Sequence, residues 1–149
     1  MLDNDWHFLG QKVVLRVPNS KHEVTQYHGR LSTIPLDRWQ LRKCFVVEAK
    51  PKWKSHPFSR RILFIDEETY SVAMSLIFDR SDNLFKVIKV VYGRGKGLAR
   101  NDLEDSVPNF RSTNVMNLRD NIASLGGVIK ATDYPRLKPS AVRKLFSVS

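Results

Sequence analysis

The stretch Arg60–Tyr92, RRILFIDEETYSVAMSLIFDRSDNLFKVIKVVY, decides the fold of this chain. It contains three runs rich in β-branched and aromatic residues, separated by short polar segments at Asp66–Glu68 and Arg80–Asn83. Runs bounded by Asp, Asn and Ser in this way are typical of consecutive antiparallel hairpins. The stretch therefore predicts a β-meander, and because it carries no recognisable catalytic motif, we expect a binding surface rather than an active site.

The middle run shows the clearest two-residue alternation in the sequence. The alternation predicts that five apolar side chains share one face of the sheet: Tyr70, Val72, Met74, Leu76 and Phe78. We add Phe45 and Val47, which lie on the apolar face predicted for the strand Arg38–Ala49, and we expect the face with Cys44 and Glu48 to be wet. An apolar face of this size must be covered. A core, a helix or a ligand can cover it.

Weaker patterns complete a mainly β domain that spans residues 1–149. Gln11–Val17 alternates and predicts a strand, whereas Ile62–Asp66 and Leu84–Tyr92 are apolar on both faces, which predicts central strands. Beyond them, the spacing of apolar residues favours two short strands that end at Gly126 and Gly127: Val115, Leu118, Ile122 and Leu125. Lys138-Pro139-Ser140 predicts the start of a short C-terminal helix, because proline fits the first helical turn.

Composition narrows the functional classes. The 149 residues carry a formal net charge of +10, which suits an anionic partner, although Lys and Arg that guard strand edges are an alternative. Cys44 is the single cysteine, so no internal disulfide forms, and the four histidines lack ligand spacing, so we predict neither metal nor cofactor. Gly93–Gly97 does not match a phosphate-binding loop.

Membrane and export signals are missing from the sequence as given. No apolar run reaches the roughly 20 residues that a spanning helix needs. The acidic start at Met1–Asp5 does not resemble a signal peptide, so we expect a cytoplasmic chain if Met1 is the native start.

Two groups of side chains are candidates for contact with a charged ligand. One is a set of basic residues that could bind lipid headgroup phosphates, with solvated surface charges as the alternative: Arg60, Arg61, Lys86 and Lys89. The other is a set of aromatic residues that could stack nucleic-acid bases: Trp39, Trp53, Phe58 and Tyr92. The aromatic residues do not align on one wet strand face, which argues against a nucleic-acid partner.

Three segments resemble a bacterial family of unknown function whose members are described as outer-membrane lipoprotein-sorting proteins. Asp3–Ser20 resembles the family's W-x-L-x-G-K…V-P stretch, and Leu137–Phe146 resembles its C-terminal ending. Trp39–Val87 is similar to the central block, with VVEA at Val46–Ala49 and IDEETY at Ile65–Tyr70.

The resemblance implies a carrier of the Lol type. Such a protein folds as an open, curved antiparallel sheet, a half-barrel that holds acyl chains of lipids or lipoproteins without catalysis. The resemblance thus makes the predicted apolar face the candidate acyl-contact surface, with ordinary core packing as the alternative: Tyr70, Val72, Met74, Leu76, Phe78, Phe45 and Val47. It implies a periplasmic location, peripheral membrane contact and a transport partner in the envelope. Family chains are longer, so this chain resembles their C-terminal half, and a truncated fragment without independent function is a further alternative.

Overall fold

The computed structural model describes residues 3–22, 24–93 and 108–127, and the described part of the chain is mainly β. Its strands are β1 (Asn4–Arg16), β2 (Tyr27–His28), β3 (Ile34–Pro35), β4 (Gln40–Pro51), β5 (Arg60–Asp66), β6 (Val72–Phe78), β7 (Leu84–Gly93), β8 (Asn109–Asn117) and β9 (Ile122–Gly127). One 3-10 turn, Arg30–Ser32, precedes β3. The predicted mainly β class is confirmed, whereas the predicted C-terminal helix lies outside the described residues.

Seven strands form one open antiparallel sheet in the order β1-β4-β5-β6-β7-β8-β9, and β2 pairs with β3 separately. From β4 onward each strand pairs with the next one in the chain, as the predicted meander requires. The β5–β6 turn forms where predicted because the Asp66 carboxylate accepts hydrogen bonds from the backbone amides of Glu68 and Thr69. At the next turn, Asp79 accepts from the amides of Ser81 and Asn83 in the same way.

The sheet is curved, and one contact shows which face is concave. In a flat sheet β1 and β7 would be about 19 Å apart, because neighbouring strands are spaced by about 4.8 Å. The guanidinium carbon of Arg16 on β1 nevertheless lies 5.3 Å from the ring centroid of Tyr92 on β7. Because two side chains cannot span that flat distance, the sheet must curl toward the Arg16 side. We call this side, with Arg16, Phe64 and Met74, the concave face, and the opposite side the convex face.

The connection between β1 and β4 crosses the concave face. This crossing segment, residues 17–39, leaves β1 and reaches the far side of the sheet, where the Ser20 amide donates to the carbonyl oxygen of Tyr92 at 2.7 Å. Farther along, the Tyr27 hydroxyl lies 2.7 Å from the Ser112 hydroxyl on β8. The return is fixed by Trp39, whose indole N–H donates to the Pro35 carbonyl oxygen at 3.2 Å. The crossing segment therefore covers part of the hollow that the curved sheet creates.

The concave face carries the core, which corrects the prediction that the Cys44 side of β4 is wet. Cys44, Val46, Phe64 and Ala73 are buried together, whereas Leu41, predicted to lie on the apolar face, is 72% exposed. Burial is also the main cause that raises the pKa of the Cys44 thiol. The prediction failed because this face also carries charged residues, which look solvent-exposed in the sequence. They are buried here because they form ion pairs with residues of other strands.

A β-bulge corrects the prediction that Tyr70, Val72, Met74, Leu76 and Phe78 share one face. Phe64 pairs with Met74, but the next residue, Ile65, pairs with Val72, so Ala73 is an extra residue in β6. Because Phe64 and Ile65 point to opposite faces of a regular strand, Met74 and Val72 do so too. The bulge therefore places Val72 on the convex face, and Met74, Leu76 and Phe78 on the concave face.

The strand boundaries differ from prediction at both edges of the sheet. β1 begins at Asn4 rather than Gln11, because a bulge between Phe8 and Gly10 lets the pairing with β4 continue. β9 includes Gly126 and Gly127, which were predicted to end it. No helix within the described ranges is long and apolar enough to cross a membrane.

Candidate functional site

A small apolar cleft opens on the concave face beneath the crossing segment. Its walls come from β1, β6 and β7, and its roof comes from the crossing segment, with these principal residues: Val14, Arg16, Trp39, Ala73, Met74 and Lys89. The cleft is partly open: its volume is about 40 Å³, and the space that also includes open solvent is about 390 Å³. The cleft exists because the sheet curls, which brings β1 toward β7, and because the bulge at Ala73 turns a small side chain toward Cys44 and Phe64.

A buried ion-pair network lies beside the cleft and joins three strands. Asp66 at the end of β5 is 0% exposed and accepts a bond from Arg16 Nη1 at 3.2 Å. Arg42 on β4 binds the same carboxylate with Nε at 2.9 Å and Nη2 at 3.0 Å. Arg42 also reaches the exposed Glu68 at 2.6 Å. Since β1, β4 and the β5–β6 turn meet at one carboxylate, Asp66 fixes the position of Arg16 at the cleft.

The protonation state of Asp66 follows from these contacts. Burial, the largest single influence, would raise the pKa of its carboxyl group. The hydrogen bonds from Arg42 and from the Thr69 and Glu68 amides, together with the charge of Arg16, outweigh burial and lower the pKa to about 2. Asp66 is therefore ionised at neutral pH and holds both guanidinium groups by charge.

Arg16 is the least satisfied member of the network. Its side chain is only 4% exposed, and burial lowers its pKa although the charge of Asp66 acts in the opposite direction. Nη1 donates to Asp66 and to the Ser71 hydroxyl, but Nε and Nη2 are buried without a hydrogen-bond partner. The ring face of Tyr92 attracts the charge without offering these nitrogens an oxygen acceptor.

The structure divides the predicted acyl-contact residues between the two faces. Met74, Leu76 and Phe78 lie on the concave face, and Met74 lines the cleft. The others lie on the convex side, where Phe45 pairs with Ile65, Val47 pairs with Leu63, and Tyr70 stacks on Phe45 with ring centroids 6.5 Å apart. Tyr70 lies in the β5–β6 turn, where its φ is 53°, and it is 75% exposed. The seven residues therefore do not form one wall.

The predicted basic residues are divided in the same way. Lys89 pairs with Met74 across the sheet and lines the cleft. Arg60 is on the same face but is bound to Asp82 at 2.6 Å and lies 3.7 Å from the Phe78 ring centroid. Arg61 and Lys86 both pair with Ile77, which places them on the convex face. Lys89 is thus the member of this set that the structure brings to the cleft.

Sequence reasoning missed three groups at the site: Arg16, Arg42 and Asp66. Asp66 was interpreted only as a turn residue, which it is, but it is also the centre of the ion-pair network. Arg16 lies 50 positions away in the sequence, so no local pattern connects the two. The alternation of Gln11–Val17 is the one sequence feature that relates Arg16 to the cleft, because it places Arg16 on the same face as Val14.

Comparison with known proteins places this fold in a defined context. Residues 1–131 match the family described as "Protein of unknown function (DUF1329)". No curated protein matches the chain.

Two crystal structures share the fold. One is a domain from Vibrio parahaemolyticus described as an outer membrane lipoprotein-sorting protein, with 13% identity, a TM-score of 0.53, and coverage of 95% of this chain and 48% of that one. The other is a DUF1329 family protein from Desulfovibrio piger, with 16% identity, a TM-score of 0.50, and coverage of 93% and 47%. This chain therefore spans about half the length of both.

Proposed function

Because the chain belongs to the DUF1329 family of proteins of unknown function, we propose from its site that it is a non-enzymatic module that binds the acyl chain of a lipid or lipoprotein. The apolar cleft on the concave face is the observation that carries this proposal. The cleft is lined mainly by apolar side chains, including Trp39, and Met74 can adapt its unbranched side chain to a flexible ligand. When an acyl chain enters the cleft, its methylene groups leave water and contact this apolar lining, which favours binding.

The description of the Vibrio domain supports the same class of ligand. That domain is described as a lipoprotein-sorting protein of the outer membrane. On this basis we propose that the present chain acts in the cell envelope, with an acylated cargo and a partner that delivers or receives it. Leu76 and Phe78, on the concave face beyond the cleft, would extend the apolar path for a longer chain.

The proposal is tested with the full chain and a fluorescent acyl probe, displaced by a series of straight-chain alcohols. Each methylene that leaves water contributes about 0.8 kcal/mol, so affinity should rise up to about fourfold per added methylene until the mouth is filled. Mass spectrometry of an organic extract should also detect lipid that copurifies with the chain. No saturable probe uptake, together with no copurifying lipid, would remove the proposal.

Nucleic acid is the second candidate, and the geometry gives it less support. The +10 charge favours it, but Arg16, Arg42 and Arg60 are already bound to carboxylates. Trp39 roofs the cleft and Tyr92 lies against Arg16, so neither is presented for base stacking. Oligonucleotide binding that falls steeply with salt would favour this candidate over acyl binding.

A further inference from the structure

We infer that the cleft selects an acyl ligand that ends in a carboxylate, and that Arg16 and Lys89 bind this group. The inference rests on the acyl-binding function proposed above and adds the chemical class of the ligand. It depends on three features of the cleft: donors without acceptors, an unbalanced positive charge, and a small volume. Each feature is independent of the family comparison.

The first feature is the pair of unpartnered nitrogens on Arg16. Buried polar groups in proteins are nearly always hydrogen-bonded, and a buried donor without an acceptor is destabilising. Arg16 keeps Nε and Nη2 in this condition at 4% exposure, in a residue that lines the cleft. Guanidinium nitrogens match the two oxygens of a carboxylate, so a ligand of this class supplies the missing acceptors.

The second feature is the charge of the cleft. Its lining contains two cationic residues, Arg16 and Lys89, and no carboxylate. Asp66 neutralises Arg16, but among the residues that the structure describes no carboxylate lies within ion-pair distance of Lys89. The neighbours of Lys89 across the sheet are Met74 and Asn114, which are both uncharged. The cleft therefore retains a positive charge next to apolar walls, which favours an anionic end on an apolar ligand.

The third feature is size. A cavity needs about 10–15 Å³ to hold one water, so the 40 Å³ of this partly open cleft has room for about three waters. A carboxylate has three heavy atoms, whereas a phosphate group has five. The acyl chain would run along the apolar lining of the cleft, which includes Val14 and Met74. Volume thus favours a carboxylate over a phosphate headgroup.

The test compares three 12-carbon ligands that differ in the end group: dodecanoate, dodecanol and dodecyl phosphate. Each displaces the acyl probe from the full chain at low salt, below its micelle concentration. Charge-assisted hydrogen bonds to one buried group correspond to a tenfold or larger preference for dodecanoate over dodecanol. We also expect dodecanoate to bind more tightly than dodecyl phosphate.

Two variants and one control locate the preference. Lys89→Met removes the cation, and Arg16→Lys keeps a charge for Asp66 while it removes the two unpartnered nitrogens. Each should reduce the preference for dodecanoate at least threefold and change dodecanol affinity less than twofold. Lys43→Met makes the same change as Lys89→Met at an exposed site on the convex face, and it should leave the preference unchanged. If Arg16→Lys does not fold, Lys89→Met still decides the matter.

The outcomes separate this inference from the proposed function. Equal affinity for dodecanoate and dodecanol would overturn the inference and leave acyl binding intact. A preference that survives Lys89→Met and any folded Arg16→Lys protein would place the anion elsewhere and overturn it too. Tighter binding of dodecyl phosphate would exclude a carboxylate as the selected group. Binding of none of the three ligands would overturn acyl binding itself.

Discussion

Replacement of Asp66 by alanine should lower the free energy of unfolding by about 3–5 kcal/mol, because it leaves a buried guanidinium without its counter-ion. Arg16 is 4% exposed and has no second carboxylate within ion-pair distance in the described part of the chain. The substitution also removes the acceptor for the Glu68 and Thr69 amides in the β5–β6 turn. Urea unfolding followed by tryptophan fluorescence measures the change.

Glu68→Ala is the matched control, because Glu68 binds the same Arg42 but is 69% exposed. Exposed ion pairs contribute about 0–1 kcal/mol, so this variant should unfold close to wild type. Acid adds a second readout. Since the Asp66 pKa falls from an ordinary 3.8 to about 2 in the fold, its stabilisation is complete above pH 4 and is lost as the pH approaches 2. Equal stability losses in the two variants would refute the central role of Asp66.

Replacement of Val14 by phenylalanine should weaken acyl-probe binding at least tenfold. Val14 is half-buried and lines the cleft, so a larger ring there occupies the space that the ligand needs. Its neighbour Val13 points to the convex face and is 63% exposed. Val13→Phe is therefore a control with the same change of volume on the same strand, and it should bind the probe within twofold of wild type. Probe titration of the two variants measures the difference.

Stability has to be measured beside binding for this pair. An overpacked residue in a core costs about 1–3 kcal/mol, but Val14 lies beside a cavity that can accept part of the ring. Both variants should remain folded at 25 °C by the same urea assay. If folded Val14→Phe protein binds the probe as wild type does, the cleft is not the acyl site.

The hairpins from β4 to β9 could be predicted because their signals are local. Turns at Asp66–Glu68 and Arg80–Asn83 depend on side chains that bond to amides a few residues away, and those residues are visible in the sequence. The central positions of β5 and β7 followed from side chains that are apolar on both faces. The class of fold therefore needed no information about long-range contacts.

The site could not be predicted in the same way, because long-range contacts create it. The bulge at Ala73 reverses the alternation of β6, and nothing in the sequence around it marks an extra residue. The buried state of Arg16 depends on Asp66, which is distant in sequence and lies two strands away in the sheet. The crossing segment is mostly polar in sequence, and it is joined to β7 and β8 by hydrogen bonds. Such bonds leave no apolar periodicity from which its position could be predicted.

The most direct test of the account is which face of the sheet a fatty acid touches. Methyl NMR spectra of the full chain report this through intermolecular nuclear Overhauser contacts between protein methyl groups and the protons of a bound fatty acid. We predict contacts to the Met74 methyl group at one equivalent and none to the δ-methyl groups of Leu41, 72% exposed on the convex face. Contacts to Leu41 without contacts to Met74 would contradict the account.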